Sequence, residues 1–297
     1  MELRVLHYFL AVAREQSISA AAQSLHLTQP TLSTQLKALE EELGKQLLVR
    51  GTKGSRKVTL TEEGMILRKR AEEILTLVNK AEEEIAHSDD TVVGTVSIGA
   101  GETDIVRYFA KAARTLQKRY PDIRYQISSG NAEYVLEYLD KGLIDFGLVF
   151  GEVDQRKYQS LPLPAKDTWG VLMRRDSPLA EKEAITPQDL WDKPLLLSHQ
   201  RGGSGALFRW LKRDASQLNV VATYNLVYNA SLLVDEGLGY ALTLDKLIHT
   251  EGTDMCFRPL SPGMEATAAS VWKKYQVFTK AADTFLRCLK EQLPQES

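Results

Sequence analysis

The sequence predicts an all-α N-terminal part joined by one long helix to a larger α/β region, and three observations predict it. Residues 1 to 58 carry apolar stripes at helical spacing, cut into short pieces by Ser17-Ile18-Ser19, Leu27-Thr28-Gln29-Pro30 and Gly44. Residues 65 to 87 hold neither glycine nor proline and are rich in Glu, Lys, Arg and Ala, the composition of a long polar helix. From Val92 onward, strand-like runs alternate with amphipathic ones, the order of a mostly parallel sheet with helices on both faces.

In the first part, Leu3, Leu6, Phe9, Leu10 and Ala13 share one face of an opening helix. Ser17 and Ser19 supply capping oxygens to a second short helix, whose Ala20, Ala21, Ala22 and Leu25 permit close approach by a neighbour. Thr28 is placed to cap a third helix, and Pro30 is tolerated in its first turn. Leu32, Leu36, Leu39 and Leu43 repeat at spacings of four, three and four and form its buried stripe. The opposite face carries Gln29, Pro30, Ser33, Thr34 and Lys37. This is the pattern of a helix-turn-helix, in which the second helix braces the third and the start of the third enters the major groove of DNA. A small helical bundle with a polar face has the same patterning. After it, residues 45 to 58 hold Lys45, Arg50, Lys53, Arg56 and Lys57 and no acid, a basic stripe suited to phosphate contact or to an ordinary solvated loop.

The run Ala21-Ala22-Gln23-Ser24-Leu25-His26-Leu27-Thr28-Gln29-Pro30-Thr31-Leu32-Ser33 resembles the signature of LysR-type transcriptional regulators. The likeness continues through Leu36, Leu39, Glu40, Leu43-Gly44, Leu47-Leu48 and Arg50, and through Leu60-Thr61-Glu62-Glu63-Gly64. The resemblance implies a winged helix-turn-helix over residues 1–60, a recognition helix from Thr28 to Glu42 and a wing from Val49 to Thr59. DNA contacts are then expected from Thr28, Gln29, Pro30, Thr31, Ser33, Thr34 and Lys37, and from Arg50, Lys53, Arg56 and Lys57. Arg50 matches a family position, whereas the other three basic residues are inferred from charge. The wing is about three residues longer than the usual family hairpin, a departure that leaves open which basic residue enters the minor groove.

Residues 61–89 form the linker. Leu67, Ala71, Ile74, Val78, Ala81 and Ile85 fall at alternating spacings of four and three, the seam of a coiled coil. A helix packed on its own domain is the alternative. The resemblance favours the dimer, in which two recognition helices read a two-fold related promoter site, and family members often go on to tetramers.

In the α/β region, Thr95–Gly99, Ile123–Ser128 and Ile144–Phe150 read as strands, with helices at Ile105–Arg119 and Ala132–Lys141. Pro162-Leu163-Pro164 marks a crossing point, followed by strands at Gly170–Arg174, Leu195–Ser198 and Val220–Tyr224 and helices at Leu207–Arg213 and Ser231–Glu236. The two sets resemble the two-lobed effector domain of the same family, itself similar to periplasmic binding proteins. One lobe spans 92–164 with 268–297 and the other 165–267. Ligands in open α/β sheets sit beyond the carboxyl ends of the strands. That rule selects Thr103, Asn131, Ser198, Gln200, Arg201 and Asn229, and in the family a Ser or Thr matching Thr103 commonly contacts the effector. Helix N-termini and Arg201 suit an anion, so a small-molecule effector, and within that class a carboxylate, is expected.

The bulk properties limit the alternatives. The 297 residues suit two or three domains, and the net charge of −2 favours no partner by itself. No apolar run spans a bilayer and the N-terminus lacks a signal-peptide pattern, so a cytoplasmic protein without membrane contact is expected. Cys256 and Cys288 match no metal spacing and read as buried thiols, and His7, His26, His87, His199 and His249 form no ligand set. Gly99-Ala100-Gly101 is a weak dinucleotide fingerprint with Asp104 in the third glycine position. Gly202-Gly203-Ser204-Gly205-Ala206 misses the hydrolase nucleophile elbow and has no evident Asp and His partners. No catalytic residues, cofactor or metal are expected. The function these readings support is an effector-responsive DNA-binding regulator that binds double-stranded promoter DNA and contacts RNA polymerase. A solute-binding protein fits only residues 92 to 297, and an architectural DNA binder needs no cleft.

Overall fold

The computed structural model describes residues 1–50, 57–86, 92–198 and 201–294, with the side chains at 84, 86 and 201–204 outside the description. The chain divides into two compact units, Met1–Asp89 and Asp90–Ser297.

In the first unit, α1 (Leu3–Glu15) buries Val5, Leu6, Phe9, Ala11 and Val12. The expected face is therefore rotated. Leu3 is exposed, and Leu10 and Ala13 are half-buried, because the core lies on the Val5–Phe9–Val12 side. Ser17 accepts a hydrogen bond from the Ala20 N–H at 3.3 Å and opens α2 (Ile18–Ser24), which buries Ala21 and Ala22. Thr28 caps α3 (Gln29–Leu43) through the Thr31 N–H at 3.3 Å. Leu32, Leu36 and Leu39 pack onto Phe9, Val12, Ala21 and Ala22, while Leu43 stays exposed. Gly44 ends the helix with φ of +62°, a left-handed conformation that favours glycine. Strands β1 (Leu48–Arg50) and β2 (Val58–Leu60) pair antiparallel, with Arg50 opposite Val58. The Glu40 carboxylate ties this ladder to α3 by accepting from the Leu47 and Leu48 N–H groups at 2.8 and 3.0 Å.

Next comes α4 (Glu62–Ala86). The Thr61 hydroxyl accepts from the Gly64 N–H at 3.0 Å and donates to the Gln46 carbonyl at 2.7 Å. Gly64 is required by close approach, since a Cβ there would lie 2.1 Å from the Leu47 carbonyl oxygen.

The second unit opens with β3 (Gly94–Ala100), α5 (Arg107–Arg119), β4 (Ile123–Ser129), α6 (Ala132–Asp140) and β5 (Phe146–Phe150). The 17-residue β6 (Tyr158–Arg174) follows, then α7 (Pro187–Leu190), β7 (Leu195–Ser198), α8 (Arg201–Leu211) and β8 (Val220–Tyr224). The chain continues through α9 (Val227–Asp235), β9 (Tyr240–Leu244), β10 (Met255–Pro259), β11 (Glu265–Lys273) and α10 (Lys280–Glu291). Among the described residues the strands run in the order β4-β3-β5-β11-β6-β9-β7-β8, with β10 also on β6.

The expectation of a mostly parallel sheet needs correction. β3 is parallel to β4 and β5, and β7 is parallel to β8 and β9. The central pairs β5/β11, β11/β6, β6/β9 and β6/β10 are antiparallel. The reason is β6 itself, which runs from one half of the sheet to the other and is met by a returning strand, β11. Each half has its own core. Phe109, Phe146, Leu163, Trp272 and Phe285 belong to one, and Val171, Leu190, Leu195, Leu207 and Leu242 to the other. Helices α6 and α9 cover the opposite faces of the two halves through Val135 and Leu139, and through Ala230 and Val234. Pro162 and Pro164 lie inside β6 rather than between strands. The register of β11 shifts between Thr267 and Ala269, opposite this segment, which accommodates a proline that has no N–H for the ladder.

Candidate functional site

Two places in the chain combine exposed polar groups with a rigid frame, one in each unit. In the first, the buried leucine stripe of α3 turns Thr28, Gln29, Pro30, Thr31, Thr34 and Lys37 to solvent, with Ser33 half-buried beside them. Part of this polar face is already engaged. The Thr28 and Thr31 hydroxyls share a hydrogen bond of 2.8 Å, the Thr34 hydroxyl donates to the Pro30 carbonyl at 2.9 Å, and Gln29 accepts from Ser19 at 3.0 Å. Thr28 thus acts first as a helix cap. These bonds fix side-chain rotamers on the exposed first turn of a well-anchored helix.

Arg50 and Lys57 stand at the two feet of the β1–β2 hairpin, and Lys53 and Arg56 lie outside the described residues. Arg50 differs from expectation. Its guanidinium Nη2 lies 3.5 Å from Glu40 and is shielded from solvent, so this end of the side chain leans toward α3, although the side chain as a whole is 34 % exposed. Lys57 is exposed.

The α4 seam also divides. Ala71 is buried against Leu6, and Leu67 and Ile74 pack partly on the same cluster, together with Leu75, which the heptad pattern did not select. The upper seam is thereby used inside the unit. Val78 is half-buried, and Ala81 and Ile85 are exposed, Ile85 at 75 %.

In the second unit, a cavity of about 320 Å³ lies between the two halves of the sheet. Its walls are largely apolar, with Leu148, Phe150, Trp169, Leu207, Val227, Leu244 and Met264. Asn131 and Ser198 line it as expected. The Asn131 side chain also caps α6 by accepting from the Tyr134 N–H at 2.8 Å.

Two of the expected contacts need other readings, and two fall outside the description. Thr103 is buried, accepts from the Ile105 N–H at 3.0 Å and donates to Asp167 on β6, so its hydroxyl is engaged within the protein and is not among the lining residues. Asn229 is exposed on α9, on a different side of the helix from the lining residue Val227, and Asn225 takes its place. Gln200 lies outside the described residues, and Arg201 opens α8 with its side chain outside the description.

Burial pushes the Asp167 carboxyl above the usual carboxylate range, against the lowering effect of the Thr103 hydroxyl. Burial also pushes the Tyr224 phenol up to about 12, and its hydroxyl donates to the Leu242 carbonyl at 2.6 Å.

The residue that pattern reading missed is Glu102. Its carboxylate lines the cavity and accepts from the Val227 N–H at 2.5 Å, at the start of α9 on the far wall. The strand-end rule selects its neighbour Thr103, and nothing local in the sequence indicates which of the two side chains faces the cleft.

Among the described residues no group of three or more His, Cys, Asp or Glu side chains is placed to hold a metal. Cys256 and Cys288 are free and buried. No helix among the described residues is long and apolar enough to cross a membrane.

Comparison with known proteins gives a consistent picture. Residues 3–65 match the family described as bacterial regulatory helix-turn-helix protein, lysR family, and residues 89–294 match the LysR substrate binding domain. The chain is 30 % identical over 301 residues to the Hca operon transcriptional activator HcaR of Escherichia coli, covering 99 % of this chain and 98 % of that protein. It is 27 % identical over 294 residues to the HTH-type transcriptional regulator YfeR of Shigella flexneri, covering 98 % and 94 %. Among solved structures, full-length CbnR complexed with its target DNA superposes with a TM-score of 0.75 at 20 % identity, covering 98 % of this chain and 99 % of that one.

Proposed function

Because the chain belongs to the LysR family of bacterial regulatory helix-turn-helix proteins, we propose that its transcription-regulating activity rests on the two sites described above. The protein is a sequence-specific DNA-binding transcription regulator with an effector-binding domain. In our reading, Gln29, Pro30, Thr31, Ser33, Thr34 and Lys37 meet base edges and phosphates in the major groove, with Thr28 as their cap. Lys53, Arg56 and Lys57 follow the backbone from the wing, and Arg50 supports it. The observation that carries this reading is the exposed first turn of α3 on a helix whose other face is buried, the arrangement that a recognition helix needs.

Self-association follows from the lower half of α4. Val78, Ala81 and Ile85 continue at heptad spacing beyond the part packed on α1, so a dimer forms there and two heads read a two-fold related promoter site. Tetramer assembly, contact with RNA polymerase and a cytoplasmic location complete the proposal.

The effector site is the 320 Å³ cavity, of a volume that suits a small molecule. Its lobes are 92–164 with 268–297 and 165–267. Apolar walls call for a ligand with an apolar body. The amide end of α6 at the lining, with Arg201 opening α8, favours a single acid group, which Glu102 and Glu133 on the wall direct toward the α8 side. Effector binding changes the angle between the lobes, and through it the spacing of the DNA-binding heads, in proportion to its differential affinity for the two arrangements.

The test is a mobility shift of the purified chain on DNA just upstream of its own gene, with a salt titration and excess competitor. Sequence-selective retardation with steep salt dependence is expected. Absence of selective binding there and in a genome-wide fragment selection would overturn the proposal.

A further inference from the structure

Helices α2, α3, α6 and α10 are each capped by the residue that immediately precedes them, Ser17, Thr28, Asn131 and Thr279. Helix α9 is not. Its N-cap position holds Leu226, which makes no side-chain capping bond. The first N–H of that helix, on Val227, instead donates at 2.5 Å to a carboxylate 125 residues earlier, on Glu102. Glu102 follows β3 in one half of the sheet, whereas α9 packs on β6 and β9 in the other through Ala230 and Val234. Both Glu102 and Val227 line the cavity, so this bond joins its two walls where they meet. A carboxylate at a helix N-terminus gains from the free N–H and from the helix dipole together.

The rest of the frame allows this one contact to matter. β6 and β11 both run between the two cores, and the register shift between Thr267 and Ala269 lies in that crossing segment. Thr103, next to Glu102, is bonded to Asp167 on β6. The base of the Glu102 turn is therefore fixed to the crossing strand, and the Glu102 side chain joins it to the start of α9.

We infer that Glu102 is a latch that holds the two walls of the cavity together, and that an occupant which moves those walls apart must break its bond to the start of α9. The inference rests on the reading of this cavity as the effector site, and it assigns to Glu102 the regulation of that site. The arrangement provides a threshold. An effector that releases the carboxylate loses the latch bond and must compensate with its own contacts, so weak occupants leave the lobes as they are.

The experiment needs no ligand. Hydrogen exchange is measured by mass spectrometry on the full chain and on two variants that remove the same bond from opposite sides. Glu102→Ala removes the accepting carboxylate. Val227→Pro removes the donor N–H at the first helical position, where proline is tolerated. Leu226 before it already has the extended backbone that a following proline demands, with φ of −121° and ψ of 128°. Loss of one hydrogen bond to a charged group lowers protection about tenfold. The expected result is exchange about tenfold faster in both variants at 225–235 and, together with it, at 101–106 and 264–268, with α5 and α10 unchanged. Faster exchange confined to 225–235 would make Glu102 a local cap only and overturn the latch, as would unchanged exchange in either variant. The effector-site reading would stand or fall separately, on ligand response in a cavity-filled variant.

Discussion

Gly64→Ala offers a case in which local and tertiary physics give opposite signs. On helix propensity alone, replacing a glycine in α4 by alanine stabilises by about 1 kcal/mol. The surroundings reverse this. The added Cβ would lie 2.1 Å from the Leu47 carbonyl oxygen, 3.1 Å from its carbon and 3.3 Å from the Leu60 Cβ. Relief requires the start of α4 to move away from the residues before β1. That movement strains the Thr61 N–H bond to the Leu47 carbonyl at 3.0 Å and the Thr61 hydroxyl bond to Gln46. Overpacking costs about 1–3 kcal/mol and a lost hydrogen bond about 1 kcal/mol, so the net effect is destabilising by about 1–3 kcal/mol. For a unit of this size the melting temperature falls by about 5 °C or more. The assay is calorimetry of the full chain, following the transition that specific DNA raises, because only the DNA-binding unit gains stability from that ligand. A melting temperature equal to or above that of the unaltered chain would refute the reasoning, since it would mean that propensity outweighs the backbone contact.

Other expectations follow from the same structure. Ser33→Glu places a charge on the half-buried edge of the proposed recognition face, and should abolish selective retardation of promoter DNA while sedimentation shows unchanged assembly. Ile85→Glu should weaken dimerisation without loss of the first unit's fold, because Ile85 is 75 % exposed, whereas Ala71→Glu should unfold that unit, because Ala71 is fully buried against Leu6. Ala132→Trp fills the cavity from the first turn of α6, and should leave DNA binding intact while removing any effector-dependent change in the footprint. Asp167→Asn tests the buried carboxyl. A raised folded-state pKa contributes stability that is fully present below the unfolded value of about 3.9 and is lost as pH rises through the folded value. Urea midpoints of the Asn variant should therefore vary less with pH above the ordinary carboxylate range, and an unchanged pH profile would remove Asp167 from the account.

Much of the first unit is legible residue by residue. The Leu32, Leu36 and Leu39 stripe, the Thr28 cap and the Gly44 terminator are local devices, set by bonds that reach three or four positions along the chain. Alternation of strand and helix likewise predicts an α/β sheet, because side-chain periodicity is set by the backbone of each element. Where the local pattern admits two answers, reading fails in identifiable ways. Leu3, Leu10 and Ala13 share a helical face with Leu6 and Phe9, yet the core lies on the Val5 and Val12 side. The α4 heptad is continuous in sequence, yet its upper half is used against α1.

The sequence by itself determined the elements, their caps and the order of the two units, since these depend on neighbours within a turn or two. Tertiary structure alone decided which of two adjacent residues, Glu102 or Thr103, faces the cleft. It alone decided that Arg50 leans on Glu40, and that the central strands return antiparallel. Each of those outcomes joins residues that are neighbours only after folding, across as many as 125 positions in the case of Glu102 and Val227, and no periodicity along the chain records such a pair.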